Sequence, residues 1–368
     1  MNILYISSKM RWGGVISWML KTAQGLEKRG HAVWILSNPK SKFNAEMPKN
    51  IRLIPKVLGM DYNPVSITFL VRFIKKNKID LVVTNIEKEI SIGGIAAKIC
   101  RIPNIRRVGR QDDFFKRWKT RFNHIAFVSH CIVPCDDISK QAAEKHNWLN
   151  YKDFTTIYNG RNLQDFTKDQ VLEQREKIGL SKKDKVIGIT CRLSKVKYVQ
   201  HLIEAFQNIA SEHPSWKLVI TGEGSEKENL QNIAATSDFA EQIIFAGFSS
   251  DPILSAAVYD IGVLTSRKEG FPNSIVEYFA AGKPVIATDV GGVKEIIEDN
   301  QNGFLIEFGN IEQLAEKFSQ LMKDDNLRRK FAAKAKKDLQ YKFSETQMID
   351  KLEKLFQNQI KGRKCSNI

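Results

Sequence analysis

Short runs of β-branched and aliphatic residues alternate along this chain with longer stretches whose apolar positions recur every three or four residues. The first pattern is that of strands buried on both faces and the second that of helices covering them, so the alternation predicts parallel sheets with crossover helices. In the first part, residues 2–7, 32–37, 81–85, 125–129 and 154–158 read as strands, and 16–29, closed by Gly30, reads as the first helix. A second series starts at 186–190 and continues through 217–221, 243–246, 261–265 and 284–288. Between the two lies 159–185, polar and opened by the turn-forming pair Asn159-Gly160, which marks a hinge. The tail 324–361 is helical in pattern and densely charged, and no short repeat, low-complexity tract or long heptad array breaks this order.

A chain of 368 residues exceeds what one hydrophobic core organises, and a hydrophobic share of 42% is enough to fill two. No apolar run approaches the roughly 18 residues of a membrane span, and 2–6 is too short for the core of a signal peptide. A cytoplasmic protein is therefore expected. The five cysteines, Cys100, Cys131, Cys135, Cys191 and Cys365, are scattered and make no zinc-type spacing, so they read as reduced thiols, mostly in the core.

Charge changes the picture because of where it lies. Residues 1–165 carry 28 basic and 13 acidic side chains and the remainder 29 and 28, so nearly all of the net +16 sits in the first half, which should face something anionic. The densest part is Arg106-Arg107-Val108-Gly109-Arg110, followed at 114–122 by Phe114, Phe115, Lys116, Arg117, Trp118, Lys119, Thr120, Arg121 and Phe122. Cations interleaved with aromatic rings suit an anionic membrane surface; a solvated helix face is the other reading of the same run.

In an open parallel sheet the ligand lies beyond the carboxyl ends of the strands, so chemistry is sought just after each apolar run. After the first strand come Trp12, Gly13 and Gly14, where glycines let a ligand approach the backbone before the next helix offers its amides. The full G-x-G-x-x-G spacing of a dinucleotide site is absent. After 261–265 comes Ser266-Arg267-Lys268-Glu269-Gly270-Phe271-Pro272-Asn273-Ser274-Ile275-Val276-Glu277. Gly270 and Pro272 keep the loop from being helical, and Asn273 or Ser274 is the expected N-cap of the helix that follows. Its amide end would seat a diphosphate, and Glu277, leaning back toward that end, could accept hydrogen bonds from sugar hydroxyls. Arg192 and Lys197, just after 186–190, are cations placed to meet the same diphosphate.

Glu269 and Glu277 resemble the E-x7-E element of the family-4 retaining glycosyltransferases, and the resemblance extends over nearly the whole chain. Asn159-Gly160 with Phe166 is similar to that family's N-G-x-D-x-x-x-F element, with Asn162 in place of the aspartate. Gly222-Glu223-Gly224 is similar to its G-x-G turn, and the run from Gly282 through Gly291, Gly292 and Glu295 to the segment that follows E-x7-E. The resemblance implies the GT-B fold: α/β, two Rossmann-like doubly wound domains facing a central cleft. Residues 1–165 would bind the acceptor, 166–345 the nucleotide sugar, and a helix at 346–368 would return to the first domain. It also implies that Glu277 binds the ribose, that Glu269 binds the transferred sugar, and that Arg192 and Lys197 neutralise the diphosphate. Gly13, Gly14, Gly222, Gly270, Phe271, Pro272, Asn273 and Ser274 would complete the donor site.

Two departures stand out. The family's G-R-L-x-x-x-K-G element reads Cys191-Arg192-Leu193-Ser194-Lys195-Val196-Lys197-Tyr198 here, with both glycines replaced. Where the family carries a histidine in the first domain, this chain has Arg110-Gln111-Asp112-Asp113, so Gln111 and Asp112 are the candidates on the acceptor side.

The expected reaction is transfer of a sugar from a nucleoside diphosphate, UDP foremost, to an anionic glycan or lipid-linked acceptor such as a lipopolysaccharide core, with retention and without cofactor or metal. A peripheral contact of 1–165 with the inner membrane face would accompany it. A sugar-nucleotide epimerase of related build and a nucleic-acid-binding protein, the latter suggested by a pI near 9.5, are the rival readings. Against the second, the positive charge and the phosphate-type loops lie in different halves, so no nucleic acid is expected.

Overall fold

The computed structural model describes residues 1–365 except 11, 12, 49, 115 and 116, and the side chains of all of these but 46, 111 and 363–365. Trp12, Phe115, Lys116 and the Gln111 side chain therefore lie outside the described residues. The chain divides into two compact units, one formed by Met1–Asn159 with Glu345–Ile368 and the other by Gly160–Ser344.

The first unit is built on seven parallel strands: β1 (Asn2–Ser7), β2 (Ala32–Ser37), β3 (Arg52–Pro55), β4 (Leu81–Thr84), β5 (Asn104–Arg107), β6 (His130–Val133) and β7 (Phe154–Thr156). They run in the order β3-β2-β1-β4-β5-β6-β7. The order reverses beside β1, which puts a crevice at the carboxyl ends of β1 and β4. Successive side chains of a strand point to opposite faces. Accordingly Ile3 and Tyr5 join one core with Trp18 and Met19 of the helix Gly14–Glu27, while Leu4 and Ile6 join another with Leu70 and Ile74 of the helix Pro64–Lys76. The second helix starts where Asn63 accepts the Ser66 amide at 2.9 Å and Pro64 fills the first position, and it ends on Lys75 and Lys76, which suit its negative end.

The helix Glu345–Cys365 belongs to this unit, sending Met348, Ile349, Leu352 and Phe356 into the core under Gly14–Glu27. Its polar side is clasped as well: Arg29 meets Asp350 at 2.6 Å and Glu353 at 2.8 Å, and His31 meets Glu353 at 2.7 Å.

One expected strand is absent. Residues 125–127 end the helix Trp118–Phe127, with Ile125 exposed, and the strand begins only at His130. A short apolar run cannot separate a strand from a helix end by periodicity alone, and here Trp118, Phe122 and Ile125 share a helical face instead.

The second unit holds six parallel strands, β8 (Lys185–Thr190), β9 (Trp216–Thr221), β10 (Ile243–Gly247), β11 (Ile261–Leu264), β12 (Val285–Thr288) and β13 (Gly303–Ile306), in the order β10-β9-β8-β11-β12-β13. The reversal falls beside β8, so the corresponding crevice opens at the carboxyl ends of β8 and β11. Phe206 and Ile203 from the helix Val199–Ala210 and Phe318 and Leu321 from Ile311–Lys323 pack with strand residues in one core. Among the described residues no helix is long and apolar enough to cross a membrane, and Cys100, Cys131, Cys135 and Cys191 form no disulfide.

Candidate functional site

The crevice beside β8 gathers most of the candidate residues. Past β11, the chain enters a loop and then the helix Asn273–Ala280, whose N-cap is Pro272. Asn273 and Ser274 are thus the first two helical residues and neither is the cap, because the extended Pro272 (φ −73°, ψ 108°) turns the chain into the helix one step earlier. No side chain caps this helix and no acid sits in its first turn.

Glu277 is the fifth residue of that helix, and its side chain is already held. Oε1 accepts from Arg161 Nη2 at 2.7 Å and from Nε at 3.2 Å, and Arg161 Nη1 donates to the Gly160 carbonyl at 3.0 Å. Both side chains are buried. Arg161 was not among the candidates, since a lone arginine after Asn159-Gly160 carries no signal until the fold brings it 116 residues along the chain to Glu277.

The loop after β8 is fixed by backbone contacts. Cys191 N donates to Thr221 O and Leu193 N to Glu223 O, both at 3.0 Å. The turn Gly222-Glu223-Gly224 lies so close that a Cβ on Gly222 (φ +145°) would stand 1.8 Å from the Cys191 carbonyl oxygen, and one on Gly224 1.9 Å from that of Leu193. These glycines are needed for the approach of one loop to another. Their consequence for the site is indirect: they set the position of Arg192, the residue between Cys191 and Leu193.

The two replaced glycines have separate explanations. Cys191 is an inert position, its thiol pushed up to about 12 by burial. Tyr198 adopts the left-handed conformation (φ 47°, ψ 44°) that costs a non-glycine residue about 1 kcal/mol or more. Its ring packs against His201 and Phe308 with centroids 5.0 and 4.8 Å apart, contacts that a glycine could not make and that offset the strain.

Lys197 and Glu269 come together: Nζ to Oε1 is 2.5 Å. Arg267 N donating to Val196 O at 2.9 Å and Thr265 Oγ1 donating to Lys197 O at 3.0 Å tie the two loops. Arg192 on the same rim is exposed and makes no hydrogen bond or ion pair among the described residues. Beneath them Ser266 Oγ is buried without a hydrogen-bond partner, while the Ser266 carbonyl accepts from Thr288 Oγ1 at 2.7 Å. Gly270 O accepts from Gly292 N at 3.0 Å, and Phe271 is buried against Phe343, so both anchor the loop. Beside β9 and β10 a cavity of about 300 Å³ is lined by Thr221, Ala246, Phe248, Ser249, Asp251 and Tyr259.

The first unit holds the other candidates. Gly13 is the N-cap of Gly14–Glu27 in extended conformation, with no side-chain cap and no acid in the first turn. Asp112 is exposed and 3.6 Å from Lys145. Its neighbour Asp113 accepts from the Gly109 and Arg110 amides at 2.8 and 2.9 Å and so shapes this loop. Glu89 was not anticipated: fully buried at the carboxyl ends of β1 and β4, it accepts from Ser8 N and Asn85 N at 2.7 Å each, from Ser8 Oγ at 3.0 Å and from Ile86 N at 3.2 Å. Burial outweighs these bonds and raises its carboxyl above the ordinary range.

The basic run is not one surface patch. Arg106 and Arg107 end β5 and are buried, as is Phe114, whereas Arg117, Trp118, Arg121, Phe122 and Ile125 are exposed. Lys119 pairs with Asp61. Among the described residues no cluster of three or more His, Cys, Asp or Glu could hold a metal ion.

Two parallel α/β units, each with its strand order reversing beside the first strand, make the GT-B architecture. The chain superposes on Anabaena HepE in complex with UDP with a TM-score of 0.84 at 20% identity, covering 97% of this chain and 100% of that one. Residues 12–165 match the family described as Glycosyltransferase Family 4, and residues 170–338 match Glycosyl transferases group 1. An uncharacterized glycosyltransferase of Methanocaldococcus jannaschii is 30% identical over 269 residues, 69% of this chain and 68% of that protein. The N-acetyl-alpha-D-glucosaminyl L-malate synthase of Bacillus anthracis is 27% identical over 245 residues, 66% of this chain and 62% of that protein. The chain belongs to the family-4 glycosyltransferases. The matches to the first curated relatives cover 62, 52 and 35% of those proteins' own lengths.

Proposed function

We propose that this chain is a retaining, metal-independent glycosyltransferase that takes a sugar from a UDP-sugar and delivers it to an anionic glycan or lipid-linked acceptor. One observation carries the reading: an exposed, unpaired Arg192 shares the carboxyl-end rim of β8 and β11 with the Lys197–Glu269 pair, beside an uncapped helix end. Charge develops on the leaving diphosphate as the glycosidic bond breaks, and fixed cations and amides stabilise that charge best. Glu277, oriented by Arg161, would accept from the ribose hydroxyls, and Glu269 from the transferred sugar. No side chain there is placed as an evident nucleophile, so a diphosphate oxygen would take the acceptor proton on the face the leaving group vacates. The UDP bound by HepE supports the choice of base.

The test is thermal stability with UDP, GDP, ADP and CMP in turn, on the parent and on Glu277→Gln, which keeps a hydrogen-bond acceptor for Arg161. UDP at a hundred times its dissociation constant should add about 2.7 kcal/mol to the stability of the second unit, and the variant should lose most of that gain. A response to GDP or ADP alone would correct the base, and none to any nucleotide would remove the donor site.

The acceptor half of the proposal rests on charge and on the exposed row Trp118, Phe122 and Ile125, with side chains at four- and three-residue spacing flanked by Arg117 and Arg121. The protein should sediment with vesicles containing anionic phospholipid, and Trp118→Ser with Phe122→Ser should weaken this at least tenfold. Equal binding to neutral vesicles, or none to either, would refute it.

A further inference from the structure

At the amino-terminal ends of β8, β11 and β12, opposite the crevice of the second unit, positive charge collects around one side chain. Lys283 stands just before β12, half-buried, and its ammonium makes no hydrogen bond or ion pair among the described residues. Arg175, Lys185 and Lys336 all act on it, and Asp260 stands against them. Gly282 (φ +68°) carries no Cβ where one would run into the Lys336 side chain, so that lysine lies across the turn leading to Lys283. Arg175 donates to the carbonyls of Ser181, Asp184 and Val258 and pairs with no acid among the described residues. Asp260 is already engaged: Oδ2 accepts from the Val186 amide at 2.8 Å, and Oδ1 lies 3.5 Å from Lys185 Nζ.

An unpaired amine in such a place is activated, because a lysine attacks only in its neutral form. Desolvation draws the Lys283 pKa down to about 8; Asp260 opposes the shift, and Arg175, Lys336 and Lys185 add to it. Roughly a quarter of the amine is then neutral at pH 7.5, against about one part in a thousand for a lysine of ordinary pKa. The surrounding cations also favour a negative product. Acylation would only delete the charge of Lys283, whereas addition of carbon dioxide reverses it and gives the neighbouring cations a partner.

We propose that Lys283 is a site of reversible carbamylation by carbon dioxide, with the carbamate held among Lys336, Lys185 and Arg175. The ammonium first gives a proton to water. The nitrogen lone pair then attacks the carbon of carbon dioxide, a carbon–nitrogen bond forms as one carbon–oxygen π bond opens onto oxygen, and a second proton leaves nitrogen for water. Nothing is oxidised or reduced. The long side chains of Lys336, which is exposed, and Lys185 can turn to the carbamate oxygens. The modification is independent of sugar transfer, since Lys283 lies at the other end of the sheet from Arg192, Lys197 and Glu269.

The experiment is to incubate the full chain with carbon-13-labelled bicarbonate at pH 7.5, trap any carbamate by ethylation with triethyloxonium ion, and read the digest by mass spectrometry. Lys283 should carry the labelled ethyl carbamate at an occupancy at least tenfold above that of Lys185 and Lys336, and the carbon-13 spectrum of the intact protein should show its carbamate resonance. Lys283→Arg keeps the charge and should melt with the parent, so loss of that resonance in it reports the missing amine and not a lost fold. Lys336→Gln, at an exposed position, should lower the occupancy at Lys283 at least threefold, because the same cation favours the neutral amine and holds the product. Absence of label at Lys283, label no greater there than at Lys185 and Lys336, or an occupancy indifferent to Lys336→Gln would overturn the proposal.

Discussion

Glu269→Gln is expected to lower kcat by about 10²- to 10³-fold while leaving UDP binding unchanged or up to tenfold tighter. The split follows from the 2.5 Å pair with Lys197. In the structure the carboxylate pairs with the ammonium, and on the proposed reading a diphosphate would compete for the same cation. Lys197 would then turn to the phosphates, leaving Glu269 to accept from a hydroxyl of the sugar, and its charge would favour the electron-poor anomeric carbon of the transition state. A neutral amide removes the competition for Lys197 and also that stabilisation, so affinity and turnover move in opposite directions. Lys197→Met should weaken UDP and slow turnover together. A Glu269→Gln enzyme with normal kcat and poor UDP binding would show that the carboxylate merely positions the lysine. Titration calorimetry with UDP beside initial rates with the UDP-sugar separates the cases.

The strands legible in the sequence were those buried on both faces, such as β1, β2, β8 and β11, because a parallel sheet under two helix layers demands continuous apolar runs. The strands missed had other compositions. β3 is an edge strand with two half-buried residues and Pro55; β13 opens on Gly303. In β5, Asn-Ile-Arg-Arg, the sequence places two cations in a buried strand, which no hydrophobic pattern can announce. Arg106 meets Glu87 and the Asp113 carbonyl through Nη2, and Arg107 lies over the Trp18 ring.

The proposed donor site divides along similar lines. Arg192, Lys197, Glu269 and Glu277 could be named as candidates because they follow apolar runs, where the topology puts ligands. What was not readable is how they are held. Gly222 is a candidate for the donor site and Gly224 only the end of its turn, and the closeness of the Cys191 and Leu193 carbonyls requires a glycine at both. Tyr198 stands where the family's element has a glycine, yet it takes the left-handed conformation and braces it with two rings. Glu89 and Arg161 could not be found, since a buried carboxylate and its donors, or a buried ion pair, are relations across the fold and leave no spacing in the chain.

Arg161→Met should therefore be among the most damaging single changes in the second unit, destabilising it by about 3–5 kcal/mol. The reason is an asymmetry: Arg161 and Glu277 side chains are 7% and 10% exposed, and the arginine gives two donors to Oε1. Removing the cation leaves a carboxylate in a poorly solvated place, whereas the intact pair is itself worth little more than two apolar side chains of the same shape. Adding Glu277→Gln to Arg161→Met should recover a large part of the loss, because a neutral amide is cheaper to bury than a charge. Function should not follow: both variants lack an oriented carboxylate for the ribose, so UDP affinity should stay at least tenfold below that of the parent. Thermal scans followed with a probe in the second unit read the first effect, and nucleotide titration reads the second. If Arg161→Met melts with the parent, Glu277 is better solvated than its burial implies; if the double variant recovers UDP binding along with stability, the carboxylate does not carry the ribose.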